Sequence, residues 1–348
     1  MTRSNATLRG SDEPLFLAYD CAMLDLDGVV YRGDHAVDGA PDLLRRVRAA
    51  GLRLAFVTNN AARTPDAVAR QLRSLGIDAR AGDVVTSAQA AAREVAARVP
   101  AGSPVLVIGG EGLELALRER DLVPVSGTAE SPAAVVQGFH PDVGWRQLAD
   151  GAYAVAGGLP WIATNVDRTI PTGEGIAPGN GTLVAVIEAV VGHPPDVVAG
   201  KPFRPLFDET LRRTGARHAL VVGDRLDTDI EGANRCDADS LLVLTGVTDV
   251  AALCRAAAPQ RPTYVAWGLD GLLGTHQLPV HDDGCWRVDD WTVRASAAAI
   301  RVDSAGGDRA AGLRAIVAAS WAWYDAPGER SGDDRLDLGV AIDALRGG

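Results

Sequence analysis

Lysine is almost missing from this chain. Of its 34 basic residues one alone, Lys201, is lysine, and the rest are arginine. A compact ammonium on a flexible stem serves a tight anionic pocket in a way that a planar guanidinium fork does not. Lys201 is therefore either a chance surface survivor or a residue that its place demands. Aromatic residues are scarce at 5%, against 47% hydrophobic residues overall, which points to cores of Ala, Val and Leu. No uncharged apolar run approaches the roughly 20 residues of a membrane span, so a transmembrane helix is not expected. The segment from Met1 to Gly10 lacks the apolar centre of an export signal, and the expected compartment is the cytoplasm. Four cysteines (Cys21, Cys236, Cys254 and Cys285) show no CxxC pairing and read as free thiols rather than as a disulfide framework or a zinc site. An excess of positive charge is missing too. The formal net charge of −11 argues against nucleic acid as a partner. No Gly-x-x-x-x-Gly-Lys-Ser/Thr loop and no Gly-x-Ser-x-Gly elbow is present, which removes P-loop nucleotidases and serine hydrolases of that type.

What is present is an alternation of short apolar runs and amphipathic segments across 348 residues, long enough for two domains and a small third. Residues 1–14 are polar and aperiodic and read as a disordered lead-in. Cys21 to Leu26 reads as a buried strand that stops at Asp27-Gly28, followed by a loop from Tyr31 to Gly39 and a helix from Pro41 to Ala50. Leu52 to Val57 is the next strand, ending in Thr58-Asn59-Asn60, with helical spacing from Ala61 to Leu75. This βαβα opening predicts a doubly wound parallel sheet, in which function collects at the carboxyl ends of the strands. More than 140 residues separate Thr58 from Lys201, far beyond the roughly 30 of one βαβ unit. The economical organisation is a Rossmann-like core (15–87 and 192–275), an inserted α/β cap (88–191) and a small C-terminal strand-helix appendage (278–348). Further apolar runs are Val105–Gly109, Ala133–Gly138, Trp161–Thr164, Val197–Ala199, Ala219–Val222, Ser240–Leu244 and Tyr264–Ala266. Pro171 to Gly181 reads as a loop, with Gly179-Asn180-Gly181 as a turn more readily than as a ligand contact.

Strand ends thus supply Asp25, Asp27, Thr58, Lys201, Asp224 and Asp229. On a regular strand Asp25 and Asp27 would face the same side. The bland alternative is a strand ending in an Asp-Gly turn with both acids solvated. Four carboxylates beside one lysine would leave a pocket strongly anionic, and a hard divalent cation with oxygen ligands relieves this. Mg²⁺ with few protein ligands fits, and the nitrogen and sulfur donors that Zn²⁺ draws on are missing from these segments. A site so neutralised can accept a phosphoryl group. The Thr58 hydroxyl and backbone N–H groups around Gly28 and Asn59 are candidate donors to its oxygens. Asp25 and Asp27 supply a nucleophile and a proton carrier.

Four segments carry a family resemblance: Asp25-Leu26-Asp27-Gly28-Val29, Thr58-Asn59-Asn60, Gly200-Lys201-Pro202 and Gly223-Asp224-Arg225-Leu226-Asp227-Thr228-Asp229. Together they resemble the four motifs of the haloacid dehalogenase superfamily, and more narrowly its class IIA phosphatases, over roughly residues 18–275. The resemblance implies Asp25 as phosphoaspartate nucleophile and Asp27 as general acid/base. It implies Mg²⁺ on the Asp25 carboxylate, the Asp27 backbone carbonyl and Asp224. Thr58 and Lys201 would hold the transferring phosphoryl, and Asp229 would orient Lys201 or metal-bound water. Dehalogenases of the superfamily lack the second aspartate, so Asp27 counts against that chemistry. The whole chain is similar to actinobacterial glycerol 3-phosphate phosphatases of this branch, which makes glycerol 3-phosphate the first expectation for substrate. Other small phosphate esters (p-nitrophenyl phosphate, pyridoxal phosphate, nucleotides, sugar phosphates) are its rivals. A phosphomutase and a catalytically silent phospholigand sensor are the remaining alternatives.

Asn60, Arg63, Asn165 and Asp167 are further candidates for substrate contact. Asn165 and Asp167 match an Asn-x-Asp stretch in the substrate loop of that branch, with a turn capped by Asn and Asp as the alternative, and Arg63 suits a solvated helix arginine as well as a phosphate contact. Four of seven tryptophans (Trp286, Trp291, Trp321 and Trp323) fall in the last 70 residues. They read either as a packed appendage or as the aromatic face of a homodimer.

Overall fold

The structure is a computed structural model that describes residues 7–296, 298–326 and 336–347. The chain divides into two compact units, Met1–Leu54 with Ala216–Gly348, and Ala55–Gly215.

The first unit is built on parallel strands in the order Tyr264–Ala266, Asp239–Val243, Ala219–Gly223 and Cys21–Leu24. Each is buried along nearly its whole length, as strands covered on both faces are, although Asp239–Val243 opens on the polar Asp239 and Ser240. Cys21–Leu24 is completely buried. Strand Arg53–Thr58 leaves this unit with the Arg53 N–H donating to the Asp20 carbonyl at 3.4 Å. Helix Ala40–Ala49 buries Leu43, Leu44 and Val47 on one face.

The C-terminal segment belongs to this same unit. It holds an antiparallel sheet of Val280–Asp282, Cys285–Val288, Trp291–Ser296 and Ala299–Ser304, followed by helix Arg309–Asp325. Four strands precede the helix in what the sequence predicts only as a small strand-helix appendage. The first hairpin closes on Asp283-Gly284, both at positive φ, the geometry that matches strand twist in a two-residue turn. Trp291 and Trp321 are buried in one apolar cluster with Leu242, Leu253 and Val265 of the parallel-sheet region. The Trp321 indole N–H donates to the Leu253 carbonyl at 2.9 Å, and the Arg261 guanidinium lies 5.0 Å from its ring. The expected aromatic partner face is thus corrected for these two residues, because packing within the chain consumes them.

The disordered lead-in is also corrected over residues 7–14. Leu8 is buried in the same cluster, Arg9 pairs with Asp239 at 2.9 Å, and the Ser11 N–H donates to the His276 carbonyl at 2.7 Å. Residues 1–6 lie outside the described residues.

The second unit contains a five-stranded, all-parallel sheet in the order Val197–Val198, Trp161–Ala163, Ala134–Gln137, Pro104–Ile108 and Val123–Val125. Thr58 pairs with Thr86 at the end of a further parallel pair, Arg53–Thr58 with Val84–Thr86. The unit takes in the expected cap segment together with residues 55–87 and 192–215, so its limits differ from the expected 88–191. Strands Val84–Thr86 and Val123–Val125 escape the sequence reading because each offers only two valines, followed by Thr86 in the first and split by Pro124 in the second. The Pro171–Gly181 loop is instead mostly a hairpin, Thr169–Thr172 with Gly175–Pro178. Pro171 and Pro178 are tolerated there because a two-stranded ribbon has only edges. Among the described residues no helix is long and apolar enough to cross a membrane.

Candidate active site

In the first unit, strand Cys21–Leu24 ends just before Asp25, whose N–H donates to the Val222 carbonyl of the neighbouring strand at 2.9 Å. That neighbour ends at Gly223, so Asp224 emerges beside Asp25, and a single helical turn brings Asp229 back to the same point. One carboxylate oxygen from each of Asp25, Asp224 and Asp229 lies within 4.8 Å of the others. Asp224 and Asp229 are buried and Asp25 is half-buried. Glycine at 223 is what allows this fold-back, since a Cβ there would lie 2.2 Å from the Asp229 Cβ.

Neighbouring loops fix Asp224. The Val247 N–H donates to its Oδ2 at 2.6 Å, and the Thr248 N–H donates to its carbonyl at 3.2 Å. The Thr245 hydroxyl donates to the Gly28 carbonyl at 2.6 Å. Gly28 stands at a φ of +83°, and a Cβ on it would lie 2.5 Å from Asp224 Oδ2. Three carboxylates so close are mutually repulsive unless a proton or a cation joins them. Their oxygen-only donor set fits a hard divalent ion such as Mg²⁺ or Ca²⁺.

Two sequence expectations change here. Asp25 and Asp27 both lie past the end of strand Cys21–Leu24, and Asp27 is exposed in an isolated bridge with Tyr31, so no regular strand pairs the two on one face. The Gly28 N–H, expected among the phosphoryl donors, is spent on the Tyr31 carbonyl at 2.8 Å.

In the second unit, Thr58 closes its strand, and its Oγ1 accepts the Asn60 N–H at 3.1 Å. Its own hydroxyl proton remains for a further acceptor. Lys201 is almost completely buried, with its Nζ 3.4 Å from the Val57 carbonyl. Asn59 lies between these elements: its Oδ1 accepts the Lys201 N–H at 2.8 Å, and its Nδ2 donates to the Lys201 carbonyl and to Asp167 Oδ2, both at 3.0 Å. The Asn59 carbonyl accepts from Asn165 Nδ2 at 2.8 Å and from the Ser87 hydroxyl at 2.6 Å. Asn165 Oδ1 accepts the Asp167 N–H at 3.1 Å, the capped turn that was its alternative reading.

Asn60 spends its Oδ1 on the Ala62 N–H at 3.0 Å. Arg63 turns back onto its own segment, donating to Gln71 Oε1 and to the Ala67 carbonyl at 3.1 Å. Sequence reasoning missed Ser87, Asn180 and the Thr245–Val247 loop. Only the position of that loop at a strand end could have signalled it.

A family model described as haloacid dehalogenase-like hydrolase matches residues 22–123, and a second, HAD-hydrolase-like, matches residues 198–272. The D-glycerol 3-phosphate phosphatase of Mycobacterium tuberculosis is 44% identical over 275 residues, covering 78% of this chain and 76% of its own. Crystal structures of the glycerol phosphate phosphatase of the same organism, one with calcium and one with magnesium, are 39% identical. They superpose with TM-scores of 0.84 and 0.82, covering 96% of this chain and 98% of theirs. An acid sugar phosphatase of Staphylococcus saprophyticus is 35% identical over 257 residues, covering 73% of this chain and 97% of its own.

Proposed function

Because the chain belongs to the haloacid dehalogenase-like hydrolase family, we propose that it is a Mg²⁺-dependent phosphomonoesterase that hydrolyses glycerol 3-phosphate to glycerol and phosphate. The observation that carries the reading is the meeting of Asp25, Asp224 and Asp229 within 4.8 Å at the strand ends. Asp25 and Asp224, with the Asp27 backbone carbonyl, would hold Mg²⁺, which supplies charge neutralisation for an incoming phosphate ester. The Asp25 carboxylate attacks phosphorus, the bond to the leaving alkoxide breaks, and Asp27 protonates that oxygen. Asp27 then takes a proton from water, which attacks the phosphoaspartate, releases phosphate and restores Asp25. The exposure of Asp27 suits a group that must exchange protons with substrate and water. Thr58, through its remaining hydroxyl proton, and Lys201 are assigned to the phosphoryl oxygens. Asp229 is assigned to orienting Lys201 or metal-bound water.

Glycerol 3-phosphate is favoured over a sugar phosphate by coverage. The D-glycerol 3-phosphate phosphatase is 44% identical over 78% of this chain, against 35% over 73% for the acid sugar phosphatase. The glycerol phosphate phosphatase structures superpose on 96% of this chain, against 72% for a nitrophenyl phosphatase of Geobacillus stearothermophilus. Substrate contact through Asn165 and Asp167 stays in the proposal as a second task for side chains already bonded to Asn59 or its turn. Action in the cytoplasm and a homodimer belong to the same reading, the dimer using surfaces other than Trp291 and Trp321.

The test is turnover of a panel of small phosphate esters with Mg²⁺ added and removed, on the natural chain and on Asp25→Asn. We expect glycerol 3-phosphate to be preferred, EDTA to stop the reaction, and Asp25→Asn to lose at least about a thousandfold in rate. A folded Asp25→Asn protein with appreciable activity would remove the nucleophile assignment.

A further inference from the structure

Three asparagines in the second unit grip one backbone after another until they reach Lys201. Asn180, the first residue of helix Asn180–Val191, donates its Nδ2 to the Asn165 carbonyl at 2.7 Å. Asn165 donates its Nδ2 to the Asn59 carbonyl at 2.8 Å. Asn59 then holds Lys201 at both main-chain groups, accepting its N–H at 2.8 Å and donating to its carbonyl at 3.0 Å. A carboxamide bonded to the N–H and C=O of one residue imitates a neighbouring strand, and so fixes the direction in which that residue's side chain leaves the backbone.

The relay has little slack. A Cβ on Gly200 would lie 2.6 Å from Asn59 Oδ1 and from the Thr164 carbonyl, and one on Gly181 would lie 2.1 Å from the Val166 carbonyl. Asn180 is itself 1% exposed, and its Oδ1 has no hydrogen-bond partner among the described residues. A buried carbonyl left that way costs about 1–3 kcal/mol, so packing alone is a poor reason for an amide here. What Asn180 does supply is the single N–H that fixes the Asn165 main chain.

We infer that Asn180 is a positioning residue for Lys201, acting through Asn165 and Asn59; this rests on the phosphoryl role proposed for Lys201. It makes no contact with substrate in this role. Its removal lets the Asn165 and Asn59 backbones drift and lets the ammonium move off the phosphoryl oxygens.

The test is a double-mutant cycle between position 180 and Lys201, read in kcat and KM for glycerol 3-phosphate, with melting temperature measured alongside. Asn180→Ala removes the donor, and Asn180→Asp removes it while keeping the shape. Both are expected to fold and to lower kcat about ten- to a hundredfold, with KM little changed. In a Lys201→Arg background, where the ammonium is already gone, the same changes should cost no more than about twofold further. Full kcat in both Asn180 variants, or losses that multiply with Lys201→Arg, would overturn the relay. Lys201→Arg at the natural rate would instead overturn the proposed role of Lys201, which keeps the two failures apart. Where Lys201→Arg turns over too slowly to measure, the same cycle is read in the affinity for inorganic phosphate by calorimetry. Should the Asn180 variants fail to fold, Asn165→Asp, which removes the next donor in the relay, takes their place in the cycle and is judged by the same outcomes.

Discussion

A Cβ placed on Gly246 would lie 1.9 Å from Asp224 Oδ2 and 2.8 Å from the Gly28 Cα. Two loops from different strand ends therefore touch the buried carboxylate only because neither carries a side chain at the point of contact. Alanine at 246 meets a backbone atom as well as the carboxylate, so the clash is not relieved by rotating one side chain. Gly246→Ala should push Asp224 away from Asp25 and Asp229. The expected result is magnesium activation weakened about 10- to 100-fold, the range for disturbed neighbours of metal ligands. Titration of phosphatase rate against Mg²⁺ checks it; an unchanged midpoint would show that Asp224 is not held by this contact.

The crowding of Asp25, Asp224 and Asp229 has a thermodynamic consequence apart from turnover. An ion that binds the folded chain and not the unfolded one stabilises it by mass action, about 2.7 kcal/mol at a hundred times its dissociation constant. Mg²⁺ should therefore raise the melting temperature, and Asp224→Asn should lose most of that increment while remaining folded. Calorimetric scans of both proteins with Mg²⁺ and with EDTA decide this. Equal increments would place the ion elsewhere.

The acidic group was legible because a parallel sheet brings the carboxyl ends of neighbouring strands together however far apart they lie in sequence, as it does for Asp25 and Asp224. The place of Asn180 was not. A turn and a buried donor share the same Gly-Asn-Gly letters, and nothing local says which carbonyl a carboxamide reaches. The partners of Arg63 were not legible either: its fork meets Gln71 and the Ala67 carbonyl a few residues away, which its letter alone does not signal. The C-terminal tryptophans illustrate a different limit. Composition marks an aromatic cluster, but only the fold tells whether the cluster meets another molecule or, as Trp321 does, the Leu253 carbonyl of its own chain.

That placement of Trp321 changes what a mutation there should do. The ring is buried against Leu253 and beneath Arg261, whose guanidinium also pairs with Asp325 at 2.6 Å. Trp321→Ala empties a large volume and leaves the Leu253 carbonyl without its donor. It should destabilise the protein by about 3–5 kcal/mol in urea unfolding, with no change in sedimentation of the folded protein. A stable variant that instead sediments as a smaller species would return this face to the dimer.

Glu209 offers the clearest pH dependence. It is completely inaccessible to solvent on helix Arg204–Thr214, yet Arg213 reaches it at 2.7 Å, Arg120 at 2.8 Å, Arg212 at 2.5 Å and Arg93 at 3.6 Å. Burial by itself would push this carboxyl up, but the guanidiniums of Arg212, Arg213 and Arg120 outweigh it and hold it below its ordinary value of 4.5. A carboxyl whose folded value is depressed contributes stability that is complete above its unfolded value and fades as the pH falls through the folded one. Glu209→Gln leaves four guanidiniums around a neutral amide, so it should lower the melting temperature clearly at pH 7. As the pH drops below about 4.5 the natural chain loses the same contribution, and the two melting curves should converge. Paired melts from pH 7 to pH 3 measure the gap, and a gap that stays constant across that range would mean that packing around Glu209, and not its charge, holds the helix.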